Sequence, residues 1–229
     1  MKVIFINGSP RKGWNTHKLL ESAMKGAADA GAETELIHLY DYEYKGCISC
    51  FACKLKNSKT DGVCAVRDAL RPVLEKCKEA DAIIIGSPIY FDYPTAQCRA
   101  FMERLMFPWS AYKYDKKTGQ AGTSLLERTV PTGLIYTMNT PEDWLEKRNY
   151  PTILNINEDY MRTTFGSCET LWSCDTFQFS KYDRYDIETF SEEAKAKHRD
   201  EQFPVDLQKA YELGARLVKL AKEYEGKER

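Results

Sequence analysis

Four cysteines, spaced Cys47-x2-Cys50-x2-Cys53-x10-Cys64, form the densest run of reactive side chains in the sequence. Thiolates spaced in this way can hold an iron–sulfur cluster or zinc. They can also pack beneath a loop and bind no metal. The last spacer is long and carries Lys54, Lys56, Asn57, Ser58, Lys59 and Asp61. Cys77 and Cys98 fall on apolar helical stripes and read as core. Cys168 and Cys174 lie around a strand and suggest no metal pair.

A second group stands near the start, in Gly8-Ser9-Pro10-Arg11-Lys12-Gly13-Trp14-Asn15-Thr16. An anion placed where a strand turns into a helix meets backbone N–H groups and the positive helix end. Ser9, Asn15 and Thr16 add uncharged donors, and Arg11 adds a charged fork. This set suits a phosphate monoester held without a metal. It is not a P-loop, because Trp14-Asn15 replaces the Lys-Ser/Thr pair after Gly13. It is not a dinucleotide fingerprint either, since Asn7-Gly8-Ser9 lacks the paired glycines. His17 reads as a solvated or capping histidine, and neither His38 nor His198 suggests a site.

Strands and helices in alternation must position these groups. Lys2 to Ile6 is short, apolar and β-branched, as a buried strand requires. Asn15 or Thr16 is placed to cap the helix that follows, with Leu20, Ala23, Met24 and Ala27 on one face. Thr34 to Leu39 reads as a second strand. Leu70, Val73, Leu74 and Cys77 recur at helical spacing, with Pro72 in the first turn. Ala82 to Ile85 reads as a strand ended by Gly86-Ser87-Pro88. Cys98, Phe101, Met102 and Leu105 mark a helix, Thr132 to Thr137 a fourth strand, and Thr170 to Phe179 contains a fifth. Leu207, Ala210, Tyr211, Gly214, Val218 and Ala221 form the stripe of a last helix. This order favours a parallel sheet covered on both faces.

The chain of 229 residues reads as a single domain, 1–229, with insertions near 107–130 and 139–167. Trp109, Tyr112, Tyr114, Trp144 and Tyr150 fall in these segments, where they suit a lid or an interface. The run from Ser191 to Glu201 reads as a solvated helix face. Thirty-three basic residues against thirty-four acidic ones exclude a broadly basic nucleic-acid binder. No stretch has the apolar length of a membrane span, and Met1 to Pro10 does not read as a signal peptide. The expected location is cytoplasmic, which favours thiols over disulfides.

Three segments together carry a resemblance. Gly8 to Thr16 resembles the phosphate loop of the NADPH-dependent FMN reductase family, within the flavodoxin-like superfamily. Gly86-Ser87-Pro88-Ile89-Tyr90-Phe91 is a second match. Thr95-Ala96-Gln97-Cys98-Arg99-Ala100-Phe101-Met102-Glu103-Arg104 looks like the family's T-x-Q-x-K-x-F-x-D-R helix, with Arg99 for Lys and Glu103 for Asp. The resemblance covers residues 1–106.

It implies an α/β fold, a flavodoxin-like three-layer sandwich whose five-stranded parallel sheet has the order 2-1-3-4-5. FMN would lie at the carboxyl ends of the strands. Ser9, Arg11, Asn15 and Thr16 would hold its phosphate. Pro88, Ile89, Tyr90 and Phe91 would wall the ring. Thr137, Met138 and Asn139 would meet the ring edge in a loop without the family's usual glycines. The resemblance also implies an oxidoreductase that takes hydride from NADPH or NADH and passes electrons to a quinone, free flavin or other small acceptor. It requires no catalytic side chain and implies a homodimer or homotetramer.

Iron–sulfur flavoproteins of the same superfamily carry a compact cysteine motif with a shorter last gap. By that likeness Cys47, Cys50, Cys53 and Cys64 would hold a [4Fe–4S] cluster, and the chain would relay electrons between protein partners. Reductases with the pattern Gly62-x-Cys64-x3-Asp68 and no demonstrated cluster support the reading without metal. A flavin-binding module without turnover is a third reading.

Overall fold

The computed structural model describes residues 1–112 and 124–227. Tyr114 lies outside them. The central sheet is built from β1 (Lys2–Asn7), β2 (Glu33–His38), β3 (Ala82–Tyr90), β5 (Val130–Thr137) and β6 (Gly166–Ser173). These five strands are parallel in the order β2-β1-β3-β5-β6, the order the resemblance implies. A sixth strand, β4 (Tyr93–Pro94), pairs antiparallel with the far end of β3, so the sheet has six strands rather than five.

Alternation along β1 explains the layers. Val3 and Phe5 bury on one face of the sheet with α1 (Asn15–Asp29) and α6 (Phe203–Tyr224). Ile4 and Ile6 bury on the other with α2 (Arg71–Glu79), α3 (Ala96–Met106) and α4 (Tyr150–Phe165). A last helix, α5 (Glu192–Glu201), precedes α6.

The α1–α6 seam is unusually close. A Cβ on Gly26 would stand 1.9 Å from the Tyr211 carbonyl oxygen, and a Cβ on Gly214 would stand 1.9 Å from that of Ala23. Each glycine faces the other helix's backbone. At the start of α6, Asp206 accepts from Ser173 Oγ at 2.7 Å and from Gln202 Nε2 at 2.9 Å, which ties the helix to the end of β6.

Several elements differ from expectation. β3 continues through Gly86, Ser87 and Pro88 to Tyr90 instead of stopping at Ile85. Pro88 is tolerated because β1 stops pairing at Gly86, so no β1 carbonyl waits for its missing N–H. The segment 139–167 is not an insertion, since it carries α4, the crossover helix between β5 and β6. Neither Asn15 nor Thr16 caps α1. Trp14 occupies that position and contributes no side-chain hydrogen bond. The face of α5 is not wholly solvated either, because Lys195 is 2% exposed. Among the described residues, no helix is long and apolar enough to cross a membrane.

Candidate functional site

The carboxyl ends of β1, β3 and β5, with the segments that follow β1 and β5, converge at one edge of the sheet and line one cleft of about 100 Å³. The first loop and the start of α1 contribute Ser9, Arg11, Asn15 and Thr16, the end of β3 contributes Pro88, Ile89 and Tyr90, and the end of β5 with the loop after it contributes Thr137, Met138 and Asn139. These are ten of the eleven residues expected to contact a cofactor. Phe91 is the exception. Phe91 and Asp92 both have positive φ, 48° and 69°, and turn β3 back into β4. Phe91 therefore sits at a hairpin tip, 97% exposed, outside the cleft.

The first loop is packed tightly at its base. Gly8 N–H donates to the Gly86 carbonyl at 2.7 Å, and a Cβ on Gly8 would meet Cys98 Cβ at 2.7 Å. Thr95 Oγ1, which also caps α3, donates to the Gly8 carbonyl at 2.7 Å. With no side-chain cap on α1, its first-turn N–H groups stay available to an anion. Ser9 Oγ accepts from Arg11 N–H at 3.1 Å, and its own proton remains to be donated. Thr16 and Thr137 pair hydroxyl to hydroxyl at 2.7 Å across the cleft floor.

A strap from Asp175 to Gln178, missed by the sequence reading, forms the far wall. Asn15 Nδ2 donates to the Phe177 carbonyl at 2.9 Å, and Arg11 donates to the Gln178 carbonyl at 2.7 Å. Thr176 and Gln178 line the cleft. The Arg11 guanidinium also lies 3.3 Å from the centre of the Trp14 ring, so it clasps the strap while stacking on the loop. The third loop is held from behind, where buried Lys195 donates to the Asn139 carbonyl at 2.6 Å and pairs with Asp175. Asn139 Oδ1 is buried without a hydrogen-bond partner among the described residues.

Behind the first loop, Asn7 acts as a hub. Its Oδ1 accepts from Ser9 N–H at 2.9 Å, which fixes the amide orientation. Its Nδ2 therefore faces His38 Nδ1 at 3.1 Å and His17 Nδ1 at 3.4 Å, and both ring nitrogens must accept. The two imidazoles stack at 5.1 Å, and His17 Nε2 reaches Glu21 at 3.1 Å. Burial, followed by the charges of His17 and Lys12, holds His38 below the usual imidazole range, against weaker opposing pulls from Asp41 and Glu21. The folded protein thus binds a proton at His38 less readily than the unfolded chain. Stability is full above the unfolded value, about pH 6.5, and falls as pH drops toward the folded one. Thermal midpoints at about pH 7.5 and about pH 5.5 should differ more for the wild type than for His38→Asn. Equal differences would remove His38 as a source of acid sensitivity.

The eight cysteines, all within the described residues, are free thiols. Cys47, Cys50, Cys53 and Cys64 line a second pocket, closed by Glu103, Arg104 and Phe107 of the α3 end. Ser49 and Phe51 have φ of 52° and 55°, so the loop turns back on itself between successive cysteines. Among the described residues, no three metal-ligating groups already stand at ligand spacing. A metal group here therefore requires the loop to contract. Glu103 accepts from Cys47 N–H at 3.1 Å, and Lys54 anchors the loop on the carbonyls of Phe107, Pro108 and Ser110. Burial raises Cys77 and Cys98 to about 12, as suits core thiols. The aromatic residues Trp109 and Tyr112 lie at the α3 end and not at the cleft.

The sequence profile of the family described as NADPH-dependent FMN reductase matches residues 1–125. An iron–sulfur flavoprotein of Methanocaldococcus jannaschii is 45% identical over 104 residues, 45% of this chain and 51% of that protein. An iron–sulfur flavoprotein of Archaeoglobus fulgidus is 46% identical over 104 residues, 45% of this chain and 48% of that one. The match thus spans about half the length of these relatives. Among solved structures, an NAD(P)H:quinone oxidoreductase from Methanothermobacter marburgensis aligns with a TM-score of 0.66 over 95% of this chain and 98% of that chain, at 16% identity. An azoreductase from Bacillus anthracis aligns with a TM-score of 0.65 over 94% and 99%, at 15% identity. At such identities the likeness is one of fold.

Proposed function

This chain belongs to the NADPH-dependent FMN reductase family, and on that premise we propose that it binds FMN in the cleft and oxidises NADPH or NADH at the expense of a small acceptor. A quinone, a free flavin or another small molecule fits the acceptor role. The observation that carries the reading is the convergence of ten expected contact residues, from three separate segments at the strand ends, on one cleft.

The groups present suit FMN. The uncapped start of α1 and the Ser9 hydroxyl are donors for a phosphate. Ile89, Tyr90 and Met138 offer an apolar and aromatic wall for the ring. The unpartnered Asn139 Oδ1 offers an acceptor for a ring N–H. Bound FMN supplies the hydride acceptance and electron delivery. The chain's residues bind and orient. Lys195 and Asp175 hold the Asn139 loop in place, and Arg11 with Asn15 clasps the strap against the first loop, where these residues would border a bound phosphate. No side-chain acid or base is assigned.

The test is a visible spectrum of anaerobically purified protein, followed by NADPH and NADH in turn. Bleaching of a bound flavin supports the reductase. A flavin that neither nucleotide bleaches supports a binding module without turnover. No uptake of added FMN defeats the whole reading.

A second reading, an iron–sulfur flavoprotein relaying electrons between protein partners, is favoured by the four thiols on one pocket and by the names of the matched relatives. Cys47, Cys50, Cys53 and Cys64 would hold the [4Fe–4S] cluster, which supplies one-electron transfer. The FMN cleft and the cysteine pocket share no lining residue. Cys50→Ser should therefore abolish iron binding and leave FMN stoichiometry unchanged. Loss of both would merge the two sites.

We place the protein in the cytoplasm as a homodimer or homotetramer, with Phe91 at a subunit interface. The support is a large apolar side chain held fully exposed at a turn with two positive φ angles. Phe91→Ser should lower the oligomer mass in light scattering, and an unchanged mass would take the hairpin out of the interface.

A further inference from the structure

The strap of residues 175–178 follows β6, well beyond the residues that the family profile matches, and it is fastened along its whole length. On one side it is joined to the loop after β5. Asp175 N–H donates to the Thr140 carbonyl at 2.9 Å, and Thr176 donates to the Met138 carbonyl from its N–H at 3.0 Å and from Oγ1 at 3.1 Å. On the other side Asn15 holds the Phe177 carbonyl and Arg11 holds the Gln178 carbonyl. From behind, the Tyr182 hydroxyl oxygen accepts from Gln178 N–H at 3.0 Å. The Phe177 ring packs on the Tyr182 ring at 5.0 Å between centres and under the Arg199 guanidinium at 4.5 Å.

The strap thus spans the cleft from the Met138 loop to the Arg11 loop. It does so with backbone, which no change of rotamer can move aside. Its two carbonyl oxygens face the first loop, so the strap also brings partial negative charge to that side.

Flavins differ at the place this strap bounds. FMN ends in a phosphate monoester. FAD has the same ring and ribityl chain, but its phosphate continues through a second phosphate to adenosine. A phosphate at the start of α1 would have the first loop on one side and the strap on the other. An attached nucleotide would have to leave between them, and its second phosphate would meet the strap carbonyls.

We propose that the strap is the specificity-determining element of the cleft, admitting a flavin that ends in a phosphate monoester and excluding one extended into a dinucleotide. The inference rests on the reading that the cleft binds a flavin by its phosphate. Specificity then comes from an obstacle set against the wrong ligand, not from a further contact to the right one. Passage of the nucleotide breaks one neutral hydrogen bond, from Asn15, and one charge-assisted bond, from Arg11. Their loss sets the expected discrimination at about 100-fold.

The experiment measures dissociation constants of the apoprotein for FMN, FAD and riboflavin by titration calorimetry. It compares the wild type with Tyr182→Phe, which removes the acceptor for Gln178 N–H, and Phe177→Gly, which removes the packed ring and frees the backbone. Neither side chain lines the cleft. The wild type should bind FMN about 100-fold more tightly than FAD, and each variant should bind FAD about tenfold more tightly than the wild type does. FMN and riboflavin affinities should stay unchanged. A wild type that binds FAD as well as FMN overturns the proposal without any variant. A variant that weakens all three flavins alike, with the FMN-to-FAD ratio unmoved, shows a merely structural strap and overturns it too. A wild type that takes up none of the three defeats the flavin reading itself, and the proposal goes with it.

Discussion

Asn15→Asp should lower FMN affinity at least 100-fold while leaving the apoprotein's thermal midpoint almost unmoved. The substitution is nearly isosteric. Asn15 opens α1, whose first turn has no acidic residue and no side-chain cap. A carboxylate there is favoured by the helix dipole by about 0.3–1 kcal/mol. That gain offsets the loss of the hydrogen bond from Asn15 Nδ2 to the Phe177 carbonyl. On the proposed reading, the same carboxylate shares the cleft with the phosphate of FMN. Two like charges about 4 Å apart repel by about 4 kcal/mol near a protein surface, and solvent in the open cleft reduces this. About 2.7 kcal/mol corresponds to the 100-fold loss. Asn15→Ala removes a donor without adding charge and should lose about tenfold. Dissociation constants from flavin fluorescence, beside thermal melts of the apoproteins, measure both quantities. An Asn15→Asp protein that binds FMN like the wild type would move the phosphate away from the start of α1.

The parts of this site that were legible in the sequence are those written in a few consecutive residues. A strand followed by Gly-Ser-Pro and a helix is local, and so Ser9, Arg11, Asn15 and Thr16 could be placed before the fold was known. Met138 follows a strand in the same way, whereas Ile89 lies within the last residues of β3 itself. Phe91 followed the same logic and failed, because β3 runs on past Pro88 and turns only at Phe91 and Asp92.

The strap and its clasp were not legible. Arg11 meets the Gln178 carbonyl 167 positions away, and no side-chain pattern marks a backbone carbonyl as a partner. Lys195 was hidden in a charged run because its burial comes from packing beneath the Asn139 loop, not from periodicity on α5. The Asn7–His38 contact exists because parallel pairing of β1 and β2 sets those two residues side by side. Helix α4 was passed over for a local reason. Thr, Ile and Asn recur in Tyr150–Phe165 and Pro151 stands in its first turn, so propensity is weak and tertiary packing decides. The cysteine spacing was legible, but the pairing of Asp68 with Arg104 beside it needed the fold.

Gly214→Ala should cost about 3 kcal/mol, at the upper end of what overpacking usually removes. Two effects oppose each other. Alanine is the better helix former by about 1 kcal/mol, and in an exposed helix the substitution would stabilise. At Gly214 the added methyl carbon stands 1.9 Å from the Ala23 carbonyl oxygen, well inside contact distance, and the obstacle is backbone that no rotamer change can move. The helices must separate by about 1.5 Å to restore ordinary contact. That movement pulls Leu213, Leu217 and Val218 away from Leu19, Leu20 and Ala23 along the seam, and a close-packed interior does not refill the gap. For a chain of this size the thermal midpoint should drop by about 6–12 °C. Gly13→Ala is the control. Nothing lies within 4 Å of its Cβ, so it carries only the strain of φ at 74°, about 1–2 kcal/mol. A Gly214→Ala protein as stable as the wild type, or more stable than Gly13→Ala, would mean that the seam yields without cost. The position of α1 has a further consequence, because its start lines the cleft proposed for FMN. Gly214→Ala should weaken FMN binding as well, although Gly214 lines no part of that cleft.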